Sequence, residues 1–522
     1  MVSDNVMTHI TTATAPPGGK GHLSPANDMM NTAISPGAVL SPSKEANRDD
    51  LMNTSADYEI EGNDTMATDS QPSPLQPPRQ DEYHTVTIDN ETFRIPKRYQ
   101  IKKIIGQGSY GLVCSSKNIQ TGEKVAIKKN KDIFQRGSDR NKRNVKNTAQ
   151  KDKDTAPYRS LLSQKRILRE LKILKHLQHP NIVSLVEVIP PENFDSFGDV
   201  IFVTDLMEAD LRDILNSKQP LTDQHVQYFM YQLLLALQYI HSADVLHRDM
   251  KPENILLNCD CELKLCDFGL ARGIDFDLDP TMSTNYVQTR WYRAPELLLN
   301  NSTVSKETDM WSVGCIFAEL LTRRVLFQGK SPIEQMKLII KILGTPVPEN
   351  IKGCQQGIDF VNQLPYSRGI NFQDLFPEAN PQAIDLMKKM LQFNHEKRIS
   401  AADALRHPYF EQYYDPRDIT NSGGKFDFSF EDDLKDSFDI KKEAYYTIME
   451  MNGYSREQLE DIEQRHLVSQ LNTYKFGEVG KISAKDAEQQ QEDMMRPNKQ
   501  GKQPKRKFSI VKRVKEMFGN LI

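Results

Sequence analysis

Three glycines, Gly106, Gly108 and Gly111 in IIGQGSYGLV, constrain this chain more than any other feature. They give G-x-G-x-x-G followed by Val113, and the flanking RYQIKKI and VCSSKN read as short strands rather than as a strand entering a helix. Backbone N–H groups in a loop without side chains can approach a phosphate closely. Lys128, in VAIK at the end of the next strand-like segment, is a residue that can contact the same phosphates. Taken singly each signal is weak. The glycines also suit an ordinary turn, and Lys128 also suits a solvent-facing strand position.

A helical period follows. In SQKRILRELKILKHLQHP, Ile167, Leu171 and Leu174 recur at i, i+4 and i+7, and Pro180 ends the run. Before this helix, residues 135–157 hold seven basic and three acidic residues and read as a solvated insertion to which no role is assigned. VQYFMYQLLLALQYIHSADVLH, DMWSVGCIFAELLTRRVLF and PIEQMKLIIKILG are strongly apolar helical patterns, so a β-rich region precedes a larger helical one. Residues 1–80 carry nine prolines and one aromatic, Tyr58, too little apolar surface to offset the entropy of ordering. The hydrophobic fraction of 38% fits such loose ends. With 67 basic against 71 acidic residues, the formal charge of −4 argues against a whole-chain nucleic-acid binder. Six cysteines are too few for a disulfide framework, and Cys259 and Cys261 form a C-x-C without a zinc-spaced partner. No apolar run reaches the ~18 residues of a membrane span, and neither a secretory h-region nor a glycine at position 2 is present. The expectation is a soluble intracellular protein.

The chemistry becomes specific downstream. HRDMKPEN supplies His247, Arg248, Asp249, Lys251 and Asn254; DFG follows at Asp267, Phe268 and Gly269; TRWYRAPE closes the segment with Ala294, Pro295 and Glu296. In this order, with the glycines and Lys128, the chain resembles the eukaryotic protein kinases over roughly residues 99–410. The resemblance implies an α+β, bilobal fold, with a β-rich N-lobe and a helical C-lobe, using ATP and Mg²⁺. It assigns Ile105, Gly106, Gln107, Gly108, Ser109, Tyr110, Gly111 and Val113 to the loop over the phosphates. Ala126 and Leu256 would sandwich adenine, the Asp205 carbonyl and Met207 N–H would meet its edge behind a gatekeeper Thr204, and Asp210 would bond the ribose. Without the resemblance, VIFVTDLMEADL reads as a buried strand ending in a solvent-facing acid. Lys128 would grip the α- and β-phosphates while paired with Glu170. Asp249 would orient the substrate hydroxyl and accept its proton, with Lys251 near the transferred phosphate. Asn254 and Asp267 would hold Mg²⁺ through oxygen ligands. Cys266 is expected to be a buried thiol near the nucleotide.

Thr284-Asn285-Tyr286, ahead of TRWYRAPE, resembles the doubly phosphorylated lip of the mitogen-activated protein kinases. Each phosphate adds about −1.5 to −2 charge. By resemblance, Arg169, Arg248 and Arg272 would pair with phosphorylated Thr284, and Arg290 with Arg293 would pair with phosphorylated Tyr286. The stretch from Ile342 to Phe376 resembles the family's C-lobe insert. Asp415 and Asp418 in YYDPRD match its acidic docking site, with Asp260 and Cys261 lining the groove, and residues 425–450 resemble an extension that wraps back to the N-lobe. Asn285 and the 135–157 insertion depart from the family pattern, which leaves the activator open.

The expected organisation is a Ser/Pro-rich tail over 1–95, a kinase domain over 96–410 (N-lobe 96–206, C-lobe 207–410), a docking site and extension over 411–452, and a polar then basic tail over 453–522. The expected activity is that of a proline-directed Ser/Thr kinase of the mitogen-activated type. An upstream dual-specificity kinase kinase, or the chain itself, would switch it on. It would act, as a monomer with no direct nucleic-acid role, on Ser/Thr-Pro substrates carrying basic docking motifs, in cytoplasm and nucleus. A non-catalytic scaffold is the rival, and the complete set of Lys128, Asp249, Asn254 and Asp267 counts against it. Ser24, Ser35, Ser41 and Ser73 each precede proline and are candidate phosphorylation sites. Nine basic residues between Arg496 and Lys515 suit an import signal around Lys505-Arg506-Lys507, a self-docking peptide, a membrane-surface helix or a solvated tail.

Overall fold

The computed structural model describes residues 82–108, 111–134, 156–273, 290–299 and 304–465. Ser109, Tyr110, most of the insertion, Thr284, Tyr286, the four Ser-Pro sites and the basic C-terminal stretch lie outside them.

The first described element corrects the tail boundary. Strands β1 (Tyr83–Ile88) and β2 (Glu91–Pro96) pair antiparallel around Asp89-Asn90, both at positive φ (47° and 64°), so the tail expected to run to residue 95 gives way to a hairpin. Paired positive φ values match the right-handed twist of a tight hairpin, and Asn and Asp tolerate them. Phe93 and Ile95 are fully buried against Tyr99, Ile127, Ile201 and Val203, so the hairpin closes one face of the next sheet.

That sheet has five antiparallel strands in the order β3-β4-β5-β7-β6, formed by β3 (Tyr99–Gly108), β4 (Gly111–Asn118), β5 (Lys124–Asn130), β6 (Leu185–Val188) and β7 (Val200–Asp205). Helix α1 (Ala156–His176) crosses between β5 and β6 and begins inside the last residues of the expected insertion. Its Ile167, Leu168 and Leu171 pack against Val188, Val200 and Phe202.

Beyond β7 the chain becomes helical, apart from a small sheet ordered β10-β9-β8, with β8 (Ala209–Asp210), β9 (Ile255–Leu257) and β10 (Leu263–Leu265). The helices are α2 (Leu211–Asn216), α3 (Asp223–Ser242), α4 (Pro295–Leu298), α5 (Lys306–Thr322), α6 (Pro332–Leu343), α7 (Gln355–Gln363), α8 (Phe372–Leu375), α9 (Pro381–Met390) and α10 (Ala401–Leu405). Helix α3 starts at a Thr222–His225 capping box, and α5 is buried along nearly its whole length, with Trp311 and Phe317 at zero exposure. A helix apolar all round must lie inside the lobe, and α5 is therefore the pillar on which the loops are hung. The final helix of this unit, α11 (Ser437–Met451), returns to the N-lobe: Ile440, Ala444 and Ile448 share a core with Ile167, Leu168 and Leu171 of α1. The second unit, Gly453–Ile522, is described only over its first residues, of which 456–465 are helical. Among the described residues no helix is long and apolar enough to cross a membrane.

Candidate active site

Antiparallel register sets the first half of the site. β5 places Lys128 opposite Phe202 of β7 and Val113 of β4, and Ala126 opposite Thr204. The Lys128 ammonium donates to Glu170 Oε1 of α1 at 2.7 Å, so the insertion leaves the helix in register. Burial lowers the Lys128 ammonium, but the carboxylates of Glu170 and Asp267 raise it by more, and it stays above its ordinary value. Burial pushes the Glu170 carboxyl up while Lys128 pulls it down. A lysine gripped this way is a fixed positive charge aimed into the cleft.

The glycines divide by role. A Cβ at Gly111 would lie 1.7 Å from the Lys129 carbonyl oxygen, so strand pairing alone requires glycine there. At Gly106 a Cβ would meet nothing closer than Val113 at 3.8 Å. Its missing side chain serves no protein contact and leaves room for a ligand. Ile105, Gly106 and Gln107 lie on β3 beside Val113 and Leu112, with Ile105 exposed; Gly108 pairs with Gly111.

The second half is held from below. Asp309 of α5, 1% exposed, accepts hydrogen bonds from the backbone N–H groups of His247 (2.9 Å) and Arg248 (2.8 Å) and from His241 Nε2 (3.0 Å). Burial would raise its carboxyl, and His241 holds it below its ordinary value. So anchored, the loop keeps Arg248 at φ 66°. His247 Nε2 donates to the Cys266 carbonyl at 3.0 Å, which ties this loop to the strand before Asp267.

Asp249, Lys251, Asn254 and Asp267 are brought together. Lys251 Nζ donates to Asp249 Oδ2 at 2.7 Å, and Asn254 Nδ2 donates to the Asp249 carbonyl (2.8 Å) and Oδ2 (3.1 Å). Those bonds use the Asn254 amide nitrogen, so Oδ1 is the atom of this side chain that can serve as a ligand. Burial pushes the Asp249 carboxyl up, with Lys251 opposing. Asp267 stands at φ 64° and its Oδ1 accepts from the Gly269 N–H at 3.3 Å. Among the described residues no three His, Cys, Asp or Glu side chains are grouped to hold a metal by themselves. One amide and one carboxylate oxygen are what Mg²⁺ requires when nucleotide phosphates supply the rest, so the donor set fits.

On the adenine side, Met207 and Ala126 are buried, and Leu256 lies in β9 opposite Asp210. The Thr204 hydroxyl donates to the Asp205 carbonyl at 3.3 Å. Asp210 Oδ1 caps α2 by accepting from Asp213 N–H at 2.9 Å, and burial raises this carboxyl to about 6.

The protein kinase domain family matches residues 99–410. Extracellular signal-regulated kinase 1 of Dictyostelium discoideum is 46% identical over 360 residues, covering 68% of this chain and 63% of that relative. Mitogen-activated protein kinase 2 of Pneumocystis carinii is 41% identical over 71% of this chain and 100% of its own length, and mitogen-activated protein kinase 14 of Xenopus laevis is 43% identical over 70% and 93%. The chain belongs to the mitogen-activated protein kinases. It is a Ser/Thr protein kinase, of a family whose chemistry implies ATP with a divalent cation.

The kinase's remaining expected sites are placed less simply. Arg169, expected at a lip phosphate, is fully buried and already committed: Nε and Nη2 donate to both oxygens of Glu431 (2.6 and 2.9 Å), and Nη1 donates to the Gly269 carbonyl (2.6 Å). Arg272 lies 3.9 Å from the same Glu431. Arg290 donates to the Lys330 carbonyl at 3.3 Å, and Arg293 follows it on the way to Ala294. At the docking site, Tyr231 joins the two acids: its hydroxyl donates to Asp418 Oδ2 (3.1 Å) and accepts from Asp415 N–H (3.2 Å). Arg417 grips Asp415 at 2.5–3.0 Å and holds its carboxyl down at about 2. Asp260 is exposed, whereas Cys261 is 3% exposed and packs within the C-lobe core. The six cysteines are free, and burial raises the Cys266 thiol well above its ordinary value.

Sequence reasoning missed three supports. Asp309 was legible only as part of an apolar helix. Arg398 donates both ends of its fork to Glu296 of the Ala-Pro-Glu motif at 2.6 Å, a buried pair 102 positions apart. Glu431 carries no local signal at all.

Proposed function

We propose that this chain transfers the γ-phosphoryl group of Mg-ATP to Ser or Thr hydroxyls that precede proline, after phosphorylation of Thr284 and Tyr286. The observation that carries the reading is the convergence of Lys128–Glu170 with Asp249, Lys251, Asn254 and Asp267. Bound Mg-ATP would supply the phosphoryl group and neutralise charge on its oxygens. Asn254 Oδ1 and Asp267 would hold the cation, and Lys128 would fix the non-transferred phosphates. Asp249, its carboxyl raised by burial, would orient the substrate hydroxyl and take its proton as the new O–P bond forms and the bond to the ADP oxygen breaks. Lys251, already bonded to Asp249, would offset charge on the moving phosphoryl group.

The rest of the proposal concerns control. An upstream dual-specificity kinase, or the chain itself, would phosphorylate the lip. Basic docking segments of activators and substrates would meet Asp415 and Asp418, and the basic C-terminal stretch would direct part of the population to the nucleus. The deciding experiment is intact-mass and phosphosite analysis of bacterially made protein incubated with Mg-ATP and a Ser-Pro peptide, beside Asp249→Ala, before and after treatment with an active kinase kinase. Phosphate on the peptide that is absent with Asp249→Ala supports the proposal. No transfer even with a phosphorylated lip would overturn it in favour of a scaffold.

A further inference from the structure

One charged cluster beside the catalytic loop takes no part in the chemistry above. Arg212, near the start of α2, spreads its guanidinium over three partners: Nε donates to Glu253 Oε1 (3.0 Å), Nη1 to Glu319 Oε1 (2.5 Å) and Nη2 to the Tyr292 hydroxyl (2.6 Å). The Tyr292 hydroxyl donates in turn to Glu319 Oε2 at 2.5 Å. These partners come from separate places. Glu253 lies between Lys251 and Asn254, Tyr292 comes two residues before Ala294-Pro295-Glu296, and Glu319 is on α5. The Glu319 side chain is 2% exposed, whereas Arg212 is 21% and Glu253 38% exposed, so the cluster is buried at its α5 end and reaches solvent at the catalytic loop.

Two carboxylates this close, one of them buried, need a cation between them, since an uncompensated buried charge is strongly unfavourable. Three acceptors in a fan match a planar fork of N–H donors and not a compact ammonium. Glu253 Oε2 is buried without a hydrogen-bond partner among the described residues, so the cluster holds one more acceptor than Arg212 uses. It has the chemistry of a guanidinium subsite, and the chain fills it with its own arginine.

We propose that Arg212 occupies, from within the chain, a guanidinium subsite flanking the phosphoacceptor position, and so keeps substrate arginines out of it. Selectivity then rests on the residue after the acceptor and not on basic neighbours. This inference rests on the reading of Asp249 as the residue that receives the substrate hydroxyl.

The test uses full-length, lip-phosphorylated protein and two readouts. First, thermal unfolding of Arg212→Ala is measured in tens of millimolar guanidinium chloride against equal sodium chloride, with wild type alongside. The variant should regain several degrees in guanidinium alone, and wild type should not respond. Second, kcat/KM is measured on a Ser-Pro peptide set in which one arginine is moved through the flanking positions. Wild type should be indifferent, Arg212→Ala should prefer arginine at one position by about tenfold, the size of a charge-assisted pair, and adding Glu253→Gln should abolish that preference. Should the alanine variant fail to fold, Arg212→Gln keeps most of the volume for the peptide set. A flat peptide profile in the variant, or no guanidinium-specific stabilisation, overturns the proposal. So does full restoration by Arg212→Lys, which would reduce the site to a point charge. Wild type inactive on every peptide would sink the functional reading instead, and the unfolding readout would still decide the subsite.

Discussion

Single side chains carry the sharpest expectations. Asp249→Asn keeps the hydrogen-bonding shape but cannot take a proton, so kcat should fall by about 10²–10⁴ while nucleotide affinity changes little; single-turnover kinetics and nucleotide titration check this. His179 offers a pH test. Burial lowers its ring to about 4, and its Nδ1 accepts from the Asn181 N–H at 3.0 Å, a bond that protonation would break. Because the folded-state pKa is depressed below the ordinary 6.5, its contribution is fully present above 6.5 and is lost as pH falls toward 4. The loss amounts to at most about 3 kcal/mol. Denaturant titrations at pH 7 and pH 4.5 should show a smaller pH difference for His179→Asn, which keeps the acceptor and cannot charge. The residues of the candidate site were legible at this level, because glycine spacing, VAIK, HRDMKPEN and DFG are local strings. Asp210 was expected at a ribose by resemblance, while its place as the cap of α2 was not legible.

Helices and strands were readable where their period was strong and unreadable where it was short. The i, i+4, i+7 pattern located α1 and its buried face, but its start within the expected insertion was missed, since only Ala156 and Pro157 of that insertion join the helix, too few to show a period. The β1–β2 hairpin was missed for the opposite reason. YHTVTI and ETFRIP alternate correctly around Asp89-Asn90, but the alternation is brief and follows a long proline-rich stretch. Helix α5 was visible as apolar, though nothing in its pattern announced that Asp309 would hold the catalytic loop. Asp309→Ala should leave two backbone N–H groups and His241 without their acceptor and cost about 3–5 kcal/mol, with kcat falling beyond what stability explains; paired unfolding and activity measurements separate the two. For α11, Ile448→Ala removes a fully buried side chain from the core shared with α1 and should cost about 2–5 kcal/mol. Hydrogen exchange should then rise first in α1, the helix that carries Glu170.

The two lobes are joined by side chains that lie far apart in the chain. Arg169 and Glu431 are 262 positions apart, and their fully buried fork links α1, the Gly269 carbonyl and the C-terminal extension. Removing one partner strands the other. Glu431→Ala should destabilise by about 3–5 kcal/mol, and the double change Arg169→Met/Glu431→Leu should recover much of that loss in denaturant titration. If the single change were neutral, the pair would have no structural weight.

By itself the sequence determined the kinase domain and its two lobes, and it named the strings expected to meet nucleotide and substrate, because those are carried by short motifs whose spacing is set by one turn or one strand. Only the tertiary structure decided what holds those strings in place. Asp309 under the catalytic loop, Arg398 on Glu296, Glu431 on Arg169 and Arg212 across Glu253 and Glu319 are each charges whose burial is tolerable solely because a distant partner arrives, and a distant partner leaves no periodicity to read.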